Sequence, residues 1–115
     1  MAYNEVLAGR VKAALAHKRR VEEKKMFGGL AYMVNDKMCV TVGKDRVMVR
    51  IDPAIHDTVL IRKGCRTMSM KGRTYRGYLF VDADAIRTKQ DFDYWIGLAL
   101  QYNKKAKASV RRKPK

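Results

Sequence analysis

The chain has 115 residues, 47% of them apolar, which suits one small domain with a single core. Lys and Arg number 26 against 11 Asp and Glu, a formal charge of +15, an excess that draws anions such as nucleic acid and also keeps a protein soluble. No apolar run approaches the roughly 20 residues of a membrane-spanning helix, and Cys39 and Cys65 are too few for a disulfide framework and too far apart for a CxxC site.

The N-terminus has no basic stretch followed by an apolar one, so no signal peptide is expected. Two unpatterned thiols and seven methionines fit a reducing cytoplasm. The charge is uneven. Seven cations and no acid fall within 104–115, which takes the +15 of the whole chain down to +8 for residues 1–103. Residues 1–105 are read as the folded domain and 106–115 as a basic, flexible tail.

In chain order, Asn4 can cap a helix over residues 5–17, with Leu7, Val11, Ala14 and Leu15 on one face. A three-strand meander follows. Its first strand spans 24–34 with Gly28-Gly29 inside it, Asn35-Asp36 makes the turn, and strands over 37–43 and 46–51 complete it. In the third strand Val47, Val49 and Ile51 alternate with Arg46, Met48 and Arg50. Asp52 as N-cap, Pro53 at the first position and Gly64 as the stop predict a helix over 53–63. A second hairpin has strands at 66–70 and 75–82 around Lys71-Gly72. Thr88-Lys89-Gln90-Asp91 resembles a capping box and opens a helix over 88–105, with Phe92, Trp95, Ile96, Ala99 and Tyr102 facing the core. Trp95 and Phe92 are expected to pack on the sheet with Leu30, Val40 and Val49. Strands arranged in hairpins with helices between them predict an α+β fold built on an antiparallel sheet.

The string Lys24-Lys25-Met26-Phe27-Gly28-Gly29-Leu30-Ala31-Tyr32-Met33 resembles the TfoX N-terminal domain family. Support continues at Met38-Cys39, Met48-Val49-Arg50 and Gly77-Tyr78 through Val81, and coverage runs from the first helix to about Tyr102. The resemblance implies an α-β(3)-α-β(2)-α fold with one curved antiparallel sheet. It also implies kinship with the TfoX/Sxy-type regulators of bacterial competence. Those regulators carry a further helical domain, so a stand-alone member need not share their role. The family offers no catalytic residues to carry over.

Candidate sites are few. Phe27-Gly28-Gly29 is either a partner-docking loop or a bend in a long strand, and the bend is favoured. Arg46 and Arg50 share a strand face, and Arg73 and Arg76 flank Tyr75. With Tyr78 and Phe80 these make the basic and aromatic interleaving of a single-stranded nucleic-acid platform. The competing reading is a solvated sheet face with half-buried rings. The tail residues Lys104, Lys105, Lys107, Arg111, Arg112 and Lys113 offer phosphate contacts or solubility alone. His17 and His56 read as surface or boundary residues, Cys39 as a small packed side chain, and Cys65 as the more accessible thiol. No Gly-rich cofactor loop is present, and few metal constellations or catalytic triads can be written from these residues. The expectation is a non-catalytic binding module that contacts DNA, RNA or a transcription-associated partner. The alternatives are a protein–protein interaction domain whose charge serves solubility, or an RNA-binding accessory protein.

Overall fold

The structure, a computed structural model, describes residues 3–18, 20–26 and 29–105. Three helices and six strands follow in the order α1 (Glu5–Leu15), β1 (Val21–Met26), β2 (Gly29–Val34), β3 (Lys37–Val42), β4 (Arg46–Arg50), α2 (His56–Leu60), β5 (Cys65–Met70), β6 (Arg73–Asp82) and α3 (Lys89–Asn103). The strands form one fully antiparallel sheet in the order β1-β2-β3-β4-β6-β5. The α+β architecture agrees with the sequence reading. The strand count does not.

The single strand expected over 24–34 is a hairpin. β1 pairs with β2 from Val21↔Val34 to Met26↔Gly29, so the chain reverses between Met26 and Gly29. The physical reason lies in the change of pattern across the glycine pair. Glu22, Glu23, Lys24 and Lys25 are all exposed, as befits an edge strand that must resist pairing with another chain. Residues 29–34 are all buried and belong to the interior. A Cβ on Gly29 would lie 2.2 Å from the carbonyl oxygen of Val42, so this glycine is required by the close approach of two backbones within the fold.

The helices are capped largely as expected. Asn4 Oδ1 accepts from the Leu7 N–H at 3.0 Å, Asp52 Oδ1 from Ala54 at 2.9 Å, and Thr88 Oγ1 from Asp91 at 3.1 Å. The helix expected over 53–63 is shorter. A 3-10 turn, Pro53–Ile55, leads into five residues of α2, where the β-branched Thr58, Val59 and Ile61 resist extension. α3 ends at Asn103, whose buried side chain donates to the Val34 carbonyl at 3.2 Å. Asn35 and Asp36 (φ 54° and 66°) and Lys71 and Gly72 (φ 54° and 78°) form the two expected hairpin turns with positive φ.

All three helices bury against one sheet face. Leu7, Val11 and Leu15 of α1, Val59 of α2, and Phe92, Trp95 and Ile96 of α3 pack with Leu30, Val40, Val42, Val47, Val49, Leu79 and Val81. Each such side chain removed from water contributes about 1.5–3 kcal/mol. The Tyr32 hydroxyl donates to the Ala8 carbonyl at 3.2 Å and ties α1 to β2; burial and then the Glu23 carboxylate push this phenol up to about 12. The opposite face carries a second cluster, Ala31, Met33, Met38, Met48 and Met68, against which Tyr75, Tyr78 and Phe80 pack. No described helix contributes to that cluster.

Two irregularities decide what this second face presents. Tyr32 pairs with Val40 but Met33 with Met38, so Cys39 is an extra residue that bulges into the helix-side core. Met38 is thereby placed beside Met33 on the helix-free face. On β6, Leu79 pairs with Thr67 and Tyr75 with Met68, so residues 76–78 have no counterparts on β5. In a regular strand Tyr75 and Tyr78, three apart, would point to opposite faces. The jog puts both on the same face.

Candidate nucleic-acid interface

The jog is held by His56. Its Nδ1 accepts from the Gly77 N–H at 2.9 Å, which leaves the proton on Nε2, within 2.8 Å of Thr67 Oγ1. Gly77 has φ +92°, and its carbonyl accepts from the Ile51 N–H at 2.8 Å. The sequence suggested a surface or boundary place for His56; it is 2% exposed, because a neutral imidazole can bridge two strands when both nitrogens find partners. Burial and, secondarily, the Arg76 charge lower its pKa from the ordinary histidine value. His17 is exposed, as expected.

With the jog in place, Tyr75, Tyr78 and Phe80 form a row along β6. The Tyr75 and Tyr78 rings meet edge-on with centroids 6.4 Å apart. Arginines flank the row. Arg46, on the neighbouring β4, lies 3.6 Å above the Phe80 ring, and Arg66, on β5, lies 5.7 Å from it on the other flank. Arg50 sits 5.6 Å from Tyr78 and 5.7 Å from Tyr102 of α3. Beneath the rings lie Met33, Met38, Met48 and Met68, all buried, and the Thr41 hydroxyl donates to Met38 Sδ at 3.5 Å. Two acids enter this face. Asp82 accepts from Arg66 at 3.0 Å, and Glu22 stands 3.9 Å from Lys24. Both pairs are exposed, so each contributes little to stability.

The expected site residues separate into groups. Arg46 and Arg50 come together with Tyr78 and Phe80. By alternation Arg73 shares the side of Tyr75, at the exposed tip of the hairpin, where it pairs with Met70. Arg76 falls in the jog and reaches away to Asp57 of α2, at 3.1 Å. Lys105 pairs with Asp52 at 2.9 Å, beside the end of β4. The Ala54 N–H and then Lys105 hold the Asp52 carboxyl below the usual range. Lys104 is exposed at the end of α3. Gly29 has its structural account above. Phe27, Gly28, Lys107, Arg111, Arg112 and Lys113 lie outside the described residues. Arg66 was not anticipated. Its signal was its place two residues before Met68, but the jog hides the register that brings it opposite Phe80.

Neither thiol is placed for chemistry. Burial pushes Cys39 up to about 12, and it also raises Cys65, whose Sγ donates to the Arg62 carbonyl at 3.2 Å. Among the described residues no group of three or more His, Cys, Asp and Glu side chains gathers to hold a metal ion. No described helix is long and apolar enough to cross a membrane.

No curated protein and no solved structure matches the chain. A family model described as the TfoX N-terminal domain matches residues 13–102, which run from within α1 to the last turn of α3 and take in the whole sheet and its aromatic row; the chain belongs to the TfoX N-terminal domain family.

Proposed function

We propose that this chain is a non-catalytic module that binds nucleic acid on the helix-free face of its sheet, within a regulatory role of the kind the family's competence regulators imply. One observation carries the reading. On a face that no described helix covers, three arginines flank two aromatic rings of a single strand. Guanidinium groups supply phosphate contacts and half-buried rings supply stacking surfaces. The overall +15 adds a long-range attraction that concentrates polyanions at the surface. The end of α3 lies close to this face at Arg50, so Lys104 and Lys105 extend the basic surface there.

A second reading rests on the methionines. Four buried thioethers beneath a ring row make an adaptable surface of the sort that re-packs around protein partners. Salt dependence separates the two. Binding of a fluorescently labelled nucleic acid is measured across a salt series for the parent and for the Arg46→Gln, Arg50→Gln double variant. Counterion release predicts a log–log slope of about −0.9 per neutralised phosphate on duplex and about −0.7 on single strands, flatter by one to two contacts in the double variant. An equal slope for both proteins moves the phosphate contacts off this face. An absence of binding at low salt leaves the protein-partner reading ahead.

A further inference from the structure

We infer that the ligand of this face is single-stranded nucleic acid, with bases stacked singly on Phe80, Tyr78 and Tyr75, and that Arg46 acts as a placeholder which leaves the Phe80 ring when a base arrives. The inference rests on the nucleic-acid reading above and goes further by naming the form of the ligand.

Spacing is the first argument. Tyr75 and Tyr78 stand 6.4 Å apart, and Tyr78 and Phe80, two residues apart on one strand, are separated by about 6.7 Å at the usual rise. Both are nearly twice the roughly 3.4 Å rise between stacked nucleotides of one strand of a duplex. The row therefore matches bases splayed apart, one to a ring. A duplex keeps its base faces stacked inside and offers such rings nothing to stack on.

The second argument is the balance on Phe80. Its ring is already covered by the Arg46 guanidinium at 3.6 Å, and this contact must be given up before a base can lie there. A cation over an aromatic ring near solvent is worth about 2- to 5-fold in an equilibrium constant. A base stacked on an aromatic side chain is worth about 5- to 150-fold. The exchange favours the base, and the released guanidinium gains a phosphate partner in the same step. Arg66, paired with Asp82 at the surface, lies on the other flank of the ring as a second cation within reach of phosphate.

The third argument is the jog. The His56 bond to Gly77 is what lets residues three apart present their rings on one face, so a specific hydrogen bond builds the row. Leu79 and Val81 keep their helix-side places on the regular part of the strand, so the jog sets where the rings point while the core residues of β6 stay in register.

The test uses the full chain and labelled oligonucleotides of about 12 nucleotides, within the usual site size for such platforms. The probes are a single strand, the same sequence as duplex, and an abasic strand of equal length that keeps the phosphates without the bases. The expected result is single-strand binding at least about tenfold tighter than duplex or abasic binding at one salt concentration. Phe80→Leu and Tyr78→Leu, which keep the methionines covered and remove a ring face, should each weaken only the single strand, by about 5-fold or more. Equal affinity for the three probes overturns the stacking inference and leaves the electrostatic reading standing. A single-strand preference that survives both leucine variants also overturns it, by placing the bases elsewhere. The abasic comparison needs no variant, so poor folding of Phe80→Leu cannot shelter the inference. No binding to any probe at low salt removes both readings together.

Discussion

Replacing His56 by alanine removes the two hydrogen bonds that hold the jog of β6. The Gly77 N–H is buried and loses its acceptor, Nδ1 at 2.9 Å, while Thr67 loses the bond at 2.8 Å. A buried donor left unsatisfied costs about 1–3 kcal/mol and an ordinary lost bond about 0.5–1.5 kcal/mol, so His56→Ala should destabilise by about 2–4 kcal/mol. For a domain of this size that corresponds to a fall in Tm of about 10–20 °C. The same geometry makes stability depend on pH. Nδ1 must stay unprotonated to accept from Gly77, and burial followed by the Arg76 charge lowers the folded-state pKa below the ordinary 6.5. Between those two values the unfolded chain binds a proton that the folded chain does not. The His56 contribution is therefore present above about pH 6.5 and lost as pH falls through the folded-state pKa. His56→Asn supplies an oxygen acceptor close to the place of Nδ1 and does not titrate. Thermal unfolding followed by circular dichroism at about pH 7.5 and pH 5.5 should show a loss for the parent and a much flatter response for His56→Asn. A His56→Ala variant that melts with the parent, or an asparagine variant with the parent's full pH loss, would refute the reasoning.

Trp95 is 2% exposed among α3, β3 and β4 side chains, so Trp95→Ala should cost about 3–5 kcal/mol, readable as a shift in the urea midpoint; an unchanged midpoint would mean the indole packs against nothing. Gly29→Ala would place a methyl 2.2 Å from the Val42 carbonyl oxygen and should cost at least about 1–3 kcal/mol by chemical denaturation, with a parental midpoint contradicting the close approach of β2 to β3. Cys39, with its thiol pushed up to about 12, should stay unmodified by a thiol reagent at mildly alkaline pH until the protein is unfolded, and prompt labelling of both thiols in the native state would contradict its burial.

Much of the fold was legible because it is written in local chemistry. Asn4, Asp52 and Thr88 cap the elements they were expected to cap, and the two positive-φ turns fall where Asn35-Asp36 and Lys71-Gly72 predicted. Period-two alternation put Arg46 and Arg50 on one face, and helical spacing put Phe92 and Trp95 in the core beside Leu30, Val40 and Val49. What stayed hidden depends on partners distant in sequence. Gly28-Gly29 was read as a bend within one long strand, and only the pairing of Val21 with Val34 decides for the hairpin. His56 read as a surface or boundary residue because Thr67 and Gly77, which satisfy its ring, lie 11 and 21 residues away. The site was half visible for the same reason. Tyr78, Phe80 and two of its arginines follow from alternation, but the jog that aligns Tyr75 with Tyr78 and sends Arg76 to Asp57 breaks alternation.

The central claim, that the helix-free sheet face is the nucleic-acid surface, meets its most direct test in the methionine methyl groups. Met33, Met38, Met48 and Met68 all lie under the aromatic row, and none of these four is part of the helix-side core. In a methyl NMR titration of carbon-13-labelled protein with a single-stranded oligonucleotide, these four resonances should move together and saturably, and the Trp95 indole signal should stay in place. Saturable shifts confined to residues of α1 or α3, with the four methyls unmoved, would contradict the account.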